Sequence, residues 1–300
     1  MLNRLTSFAP INLITYLPPS VQPYARLMRL DKPIGTWLLL LPCWWSIALA
    51  APRVPDLWLM LLFAVGAVVM RGAGCVVNDL YDRKLDAQVA RTATRPLASG
   101  ELSVPQAAAL LIGLLLIGLG ILLCLNPFTV WLGASSLVLV FIYPLMKRIT
   151  WWPQLVLGFT FNWGALIGWS AVTGMIGLPT IPLYLAGIFW TLGYDTIYAH
   201  QDVADDERIG IKSTARLLGE TTLPWVALFY AIAILFLMLT GVSADLGKGY
   251  YVALTAAALY QAVQLFLWTI DDPANCLRRF RANRDFGLII LAAIIIGKFI

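Results

Sequence analysis

The sequence predicts an all-α integral membrane protein with nine transmembrane helices, eight of them in two pseudo-equivalent four-helix halves plus one further helix. Three observations lead there. The 300 residues are 60% hydrophobic and only 12% charged, whereas a soluble domain carries about 25% charged residues. Mean hydropathy is +0.80, so a soluble fold would leave too much apolar surface in water. The apolar residues also fall into long uninterrupted runs, and the basic residues cluster between alternate runs.

A spanning helix needs roughly 20 apolar residues, with a range of about 17–25. The runs, in chain order, are 34–51, 57–77, 107–125, 129–146, 155–173, 181–197, 223–240, 250–270 and 286–300. The ninth is the shortest. Many of the twelve Trp lie near run ends, as interfacial belts require.

Lys and Arg orient these runs. With the N-terminus inside, 17 of the 21 basic residues fall in five inside segments, from Arg4 through Arg284. Only Arg53, Lys248 and Lys298 lie outside, and Arg71 lies within the second run. The net charge of +5 is thus confined to short loops, which excludes a nucleic-acid surface. Cys43, Cys75, Cys124 and Cys276 lack metal-ligand spacing and read as small buried hydrophobes. No signal peptide stands out in the first thirty residues, which hold Pro10, Pro18, Pro19 and Pro23.

Two inside loops are long and acidic. The first spans about 78–105 and the second about 195–222, with Asp82 and Asp202 lying 120 residues apart. Each acidic cluster precedes a basic, Thr-containing stretch: 91–95 in one and 212–216 in the other. This weak repeat places equivalent groups from two halves around one site.

The first motif holds Asn78, Asp79, Asp82 and Asp86. If the second helix continues through it, Asn78, Asp82 and Asp86 fall within a sector of about 80°. In the second motif, Asp195, Asp202 and Asp206 would fall within about 40° on a continuous helix. Carboxylates crowded on one face repel and call for a cation. Oxygen ligands in an open motif favour Mg²⁺ together with substrate phosphates. Arg91, Arg95, Lys147, Arg148 and Lys212 would neutralise a phosphate ligand. The alternative, that these are merely solvated loop acids, leaves two helix-spaced clusters at matching places unexplained. For His200, the sole histidine, the plain reading wins: a neighbour of the motif rather than a base.

Arg71 precedes Asn78 by seven residues on nearly the same helix face, about 10 Å deeper at 1.5 Å per residue. An arginine within a span is costly and points to function. It reads as a fork for a substrate carboxylate, or as the structural partner of a nearby acid. Tyr143, Lys147 and Arg148 are candidates to line the same cavity.

These residues resemble the signature motifs of the UbiA superfamily of intramembrane prenyltransferases. The resemblance also rests on Arg29-Leu-Asp31-Lys-Pro33-Ile-Gly35, the Arg71–Asn78–Asp79 stretch, Arg91-Thr-Ala-Thr-Arg95, Tyr143-Pro-Leu-Met-Lys147-Arg148, Tyr198 before Asp202, and Gly210-Ile-Lys212. It runs from about residue 26 to 284. It implies helices around a central cavity, both motifs at its mouth, and a lateral opening to lipid. It further implies Mg²⁺-dependent transfer of a polyprenyl group from polyprenyl diphosphate to the carbon ortho to the hydroxyl of 4-hydroxybenzoate, a step of ubiquinone synthesis.

Under the resemblance, Asn78, Asp82, Asp202 and Asp206 hold Mg²⁺ and diphosphate, Arg71 serves the aromatic acid, and Arg95, Lys147 and Arg148 lie near the diphosphate or the aromatic acid. Asp86 is a further candidate metal ligand, and Tyr143, Tyr198 and Lys212 are further candidates to contact substrates. Asp195 or Asp202 would polarise the phenol or accept its ring proton, and Arg71 or Arg148 would hold the carboxylate. Residues 1–30 are expected to form a cytoplasmic segment and 31–300 a single prenyltransferase domain. A bacterial cell inner membrane is expected in preference to a mitochondrial one. The rival readings are a related transferase with another aromatic acceptor, a secondary transporter using the acids as ion ligands, and a structural scaffold.

Overall fold

The computed structural model describes residues 13–89 and 91–300. Arg4 and Pro10, counted above in the N-terminal segment, lie outside them. Among the described residues there is no strand. A short helix, α1 (Gln22–Leu27), precedes α2 (Ile34–Ala50), α3 (Leu57–Asp86), α4 (Val104–Leu122), α5 (Pro127–Ile149), α6 (Pro153–Thr173) and α7 (Thr180–Ala199). The small helices α8 (Val203–Arg208) and α9 (Thr214–Leu218) lead to α10 (Thr222–Ser243), α11 (Lys248–Phe266) and α12 (Pro273–Ile296). A long helix therefore covers most of each of the nine apolar runs.

By length and composition, five helical stretches among the described residues are apolar enough to cross a membrane: Leu57–Asp86, Val104–Leu122, Pro127–Ile149, Pro153–Thr173 and Thr214–Ser243. The apolar helix Ile34–Ala50 is shorter.

Caps explain several boundaries. Asp56 accepts from the amides of Trp58 and Leu59 to start α3, and Ser103 with Gln106 forms a capping box at α4. Gly174, at φ +75°, ends α6 in the left-handed conformation, which costs glycine least.

The helix bodies meet through large buried aromatics. Trp45, Trp190, Tyr194 and Phe286 are almost wholly buried, and the rings of Trp45 and Trp190 lie 5.0 Å apart. Each indole has a partner: Trp45 donates to the Gly287 carbonyl at 2.8 Å and Trp190 to Asn283 Oδ1 at 2.8 Å, as buried indoles require. Conversely, Ile117, Trp131, Leu228 and Val252 are exposed on outward helix faces, the pattern of a surface solvated by lipid.

Three expectations change. First, α12 begins at Pro273, not near residue 286. Asp272 caps it, accepting from the Ala274 and Asn275 amides, so the basic stretch 278–284 is helical rather than loop. A hydropathy reading stops where charge begins, whereas helical hydrogen bonding does not. Second, the later acidic motif is not one helix. The chain breaks at Asp202, which has φ −120° and ψ 3°. The break puts Asp205 and Asp206 in the first turn of α8, where the helix dipole favours negative charge; a prolonged α7 would put them at its unfavourable end. Third, Cys124 is exposed, because it lies beyond the last turn of α4. The first motif, by contrast, does continue α3 through Asp86.

Candidate active site

A cavity of about 980 Å³ opens among α2, α3, α4, α5, α6 and α7, with a polar mouth formed by both acidic segments and an apolar body along α3, α4 and α5. Arg71, Asn78, Asp86, Arg95, Tyr143, Lys147, Asp195, Tyr198, Asp202, Asp206 and Lys212 all line it. The two motifs, far apart in sequence, therefore share one mouth.

Cations neutralise most of the acids directly. Arg29 grips both oxygens of Asp79 at 2.9 and 2.7 Å, and Arg95 bridges Asp79 at 3.3 Å and Asp86 at 2.7 Å. Burial works to lower the Arg95 pKa but is outweighed by Asp79 and Asp86, leaving it raised. Lys147 and Arg148 both bind Asp82, the latter at 3.1 Å. Across the mouth, Arg91 binds Asp202, donates to the Tyr198 hydroxyl at 3.3 Å and lies over the Tyr198 ring at 5.5 Å.

The acids in and beside α8 are less compensated. Burial raises the Asp202 pKa, and Arg91 opposes that rise. Asp206 has no cationic partner within ion-pair range among the described residues, and burial followed by the Asp202 charge pushes it up to about 7.

Two expected site residues stand elsewhere. Asp82 is 1% exposed and does not reach the cavity surface, because Lys147, which does line the cavity, covers it. Arg148 lines a neighbouring pocket with Arg83 and Lys84 instead, and donates to the Tyr81 carbonyl at 2.8 Å. Arg148 is therefore corrected from a lining residue to one acting behind Asp82: it follows Lys147 by one position, and adjacent residues on a helix diverge by about 100°. Lys212 is tied at both ends. Its amide donates to the Lys147 carbonyl at 2.9 Å and its ammonium to the Ile149 carbonyl at 3.1 Å. His200 packs edge-on against Trp268 at 5.6 Å and is not part of the cavity wall.

Deeper in, Arg71 lies over Phe161 at 5.4 Å. Its Nε is buried and has no hydrogen-bond partner among the described residues. Asp195 lines the same region. Sequence reasoning passed over the Arg29–Asp79 pair, although Arg29 stood in a quoted motif. Asp79 is turned about 100° from Asn78 and so was left out of the acidic face. Phe161 gave no signal, being one apolar residue in an apolar helix.

No group of three or more His, Cys, Asp or Glu side chains converges as a closed metal cage among the described residues. The donors at the mouth are an amide and carboxylates interleaved with cations. That open, all-oxygen set fits Mg²⁺ shared with a phosphate ligand, and does not fit a soft metal.

The sequence model of the UbiA prenyltransferase family matches residues 39–289. The chain belongs to this family.

Family members with similar sequences include proteins named 4-hydroxybenzoate polyprenyltransferase, mitochondrial. That of Bos taurus is 52% identical, over 98% of this chain and 80% of its own length. That of Homo sapiens is 50% identical over the same shares. That of Arabidopsis thaliana is 53% identical, over 94% of this chain and 70% of its own length. Among solved structures, a UbiA homolog from Aeropyrum pernix K1 superimposes with a TM-score of 0.74 at 26% identity, covering 87% of this chain and 98% of that one. A UbiA homolog from Archaeoglobus fulgidus bound to GPP and Mg²⁺ shares the fold, with a TM-score of 0.67 at 19% identity over 91% of this chain and 99% of that one.

These relatives overturn the expected bacterial inner membrane. The named relatives at about half identity are mitochondrial proteins of eukaryotes. The earlier expectation rested on the composition of the first thirty residues, whereas the similarity to these relatives spans nearly the whole chain.

Proposed function

We propose that this chain transfers a polyprenyl group from polyprenyl diphosphate to the ring carbon ortho to the hydroxyl of 4-hydroxybenzoate, within ubiquinone synthesis. The observation that carries the reading is one cavity with two unlike ends. A mouth of acids and cations suits a metal–diphosphate, and a deeper arginine without a partner suits a carboxylate. Relatives at about 50% identity bear the matching name.

In this reading Asn78, Asp82, Asp86, Asp202 and Asp206 hold Mg²⁺. When bound, Mg²⁺ supplies neutralisation of the diphosphate leaving group. Asp82 joins the set only when Lys147 swings off it, and Lys147 is then free to pair with phosphate. Arg91 and Arg95 exchange partners in the same way. The acid–base pairs of the mouth thus serve as a store of counter-charge for both halves of the ligand. Tyr198 and Lys212 keep Arg91 and the Lys147 backbone in place.

The donor carbon–oxygen bond breaks, and the electron pair leaves with the diphosphate. The aromatic walls shelter the allylic cation from water and stabilise it by cation–π attraction. The acceptor ring attacks ortho to its hydroxyl, forming the new carbon–carbon bond. Asp195 takes the ring proton. It faces the cavity with no ion pair among the described residues, whereas Asp202 is engaged by Arg91. Arg71 holds the carboxylate and so fixes which carbon meets the donor; Tyr143 borders that end. Arg148 stands behind Asp82 and is assigned to orienting it.

The architecture that serves this is nine membrane spans, α2 to α7 and α10 to α12, in two four-helix halves plus one. Residues 31–300 form a single domain and 1–30 a leading segment. Arg71→Ala tests the acceptor end: KM for 4-hydroxybenzoate should rise with little change in KM for the donor. An unchanged acceptor KM would remove Arg71 from the carboxylate role.

A further inference from the structure

The Arg71 side chain lies where α2, α3 and α6 meet. Its Cζ lies over the Phe161 ring of α6, 5.4 Å from the ring centroid. Gly35 of α2 meets it from another direction. A Cβ built on Gly35 would lie 2.5 Å from Nε, 2.8 Å from Nη2 and 2.9 Å from Cζ. Cζ is the farthest of the three although it joins the two nitrogens, so Gly35 approaches the Nε–Nη2 edge of the group obliquely rather than lying over its face. No other residue type leaves room for the fork there.

A guanidinium carries five N–H donors in one plane. That of Arg71 makes no hydrogen bond or ion pair among the described residues, and its Nε is buried. Leaving such donors unmet costs free energy. The cation–π contact with Phe161 recovers part of that cost. Gly35 is also the second residue of α2, whose N-cap Pro33 provides no side-chain cap. The amide end of that helix therefore adds positive potential beside the fork.

We propose that Gly35 and Phe161 are positioning residues that clamp the Arg71 guanidinium, Gly35 against its Nε–Nη2 edge and the Phe161 ring beneath Cζ. The clamp closes off the Nε side and leaves the outer Nη end of the fork to the cavity, pre-oriented for a planar carboxylate on the acceptor. This rests on the reading of Arg71 as the acceptor-carboxylate residue. The clamp determines specificity because it fixes the plane in which an aryl carboxylate must lie, and so the ring edge presented to the donor.

The neighbour met by a Gly35 methyl is the far end of a flexible side chain. Gly35→Ala should therefore move the fork and spare the fold. The test measures steady-state KM for 4-hydroxybenzoate and for geranyl diphosphate separately, in purified full-length Gly35→Ala, Phe161→Leu, Phe161→Tyr and Arg71→Ala proteins. Thermal midpoints are measured in parallel. The clamp predicts a rise of about tenfold or more in acceptor KM for Gly35→Ala and Phe161→Leu. Donor KM should stay within about twofold, and Phe161→Tyr, which keeps the ring, should restore acceptor KM. If Arg71→Ala leaves acceptor KM unchanged, the acceptor reading itself falls. If Arg71→Ala raises it but Gly35→Ala and Phe161→Leu do not, the clamp falls and the acceptor reading stands. Equal losses for both substrates, or a Phe161→Tyr protein as impaired as Phe161→Leu, would also overturn the clamp. Should Gly35→Ala fail to fold, the two Phe161 variants decide the question alone.

Discussion

Arg91, from the segment after the first acidic motif, binds the carboxylate of Asp202 in the second and stacks on Tyr198 one turn before it. The two motifs are thereby coupled through a cation. The same charge that steadies the mouth can be passed to a phosphate.

If these acids hold Mg²⁺, neutralising one removes more than a surface charge. Asp202→Asn and Asp82→Asn should each abolish Mg²⁺-dependent transfer while membrane insertion and protein level stay near normal. Radiolabel incorporation and immunoblotting of the same membranes measure both. Full activity in either variant would withdraw that residue from the metal set.

Lys147 has a structural as well as a substrate role. Asp82 is 1% exposed and rests on Lys147 and Arg148 alone among the described cations. Lys147→Met leaves one partner, so stability should fall by roughly 1–3 kcal/mol, with a drop of several degrees in Tm. The same variant should raise KM for the prenyl diphosphate. An unmoved Tm would mean that Arg148 satisfies Asp82 by itself.

Asp206 gives a pH signature. Its folded-state pKa of about 7 lies above the ordinary value of about 3.9. Between these values the folded chain binds more protons than the unfolded one, so stability falls as pH rises. In Mg²⁺-free buffer, Tm should therefore decline from about pH 4 to about pH 7, and Asp206→Asn should flatten that slope. Because Asp206 is half-exposed, solvent screening makes the slope shallow. Added Mg²⁺ should raise Tm most at the high end of the window. A wild-type slope kept in Asp206→Asn would assign the titration to another group.

The early start of α12 depends on one cap. Asp272→Ala removes acceptors for the Ala274 and Asn275 amides, at a cost of about 1 kcal/mol. Hydrogen exchange should quicken over residues 274–280 while prenyl transfer at 25 °C is retained. Unchanged exchange would show that α12 is held there by packing alone.

Much of this architecture was legible because lipid leaves a plain record in sequence. The apolar runs found all the long helices, and a 3.6-residue period carried α3 through Asp86. The fate of the basic stretch 278–284 was not legible, since charge ends a hydropathy run without ending a helix. The break at Asp202 was equally hidden, because the dipole preference that splits α7 from α8 competes with simple periodicity. At the site, charged residues announced themselves by type. Lys147 covering Asp82, Arg148 facing another pocket and Phe161 lying under Arg71 are relationships between helices, and single-chain spacing does not encode them.

Purified protein reconstituted in lipid, given ring-labelled 4-hydroxybenzoate, geranyl diphosphate and either Mg²⁺ or EDTA, tests the central claim most directly. The expected result is a labelled, organic-extractable product carrying the prenyl group ortho to the hydroxyl, formed with Mg²⁺ and absent with EDTA. Failure to form that product in folded protein with Mg²⁺ present, or equal formation with EDTA, would contradict it.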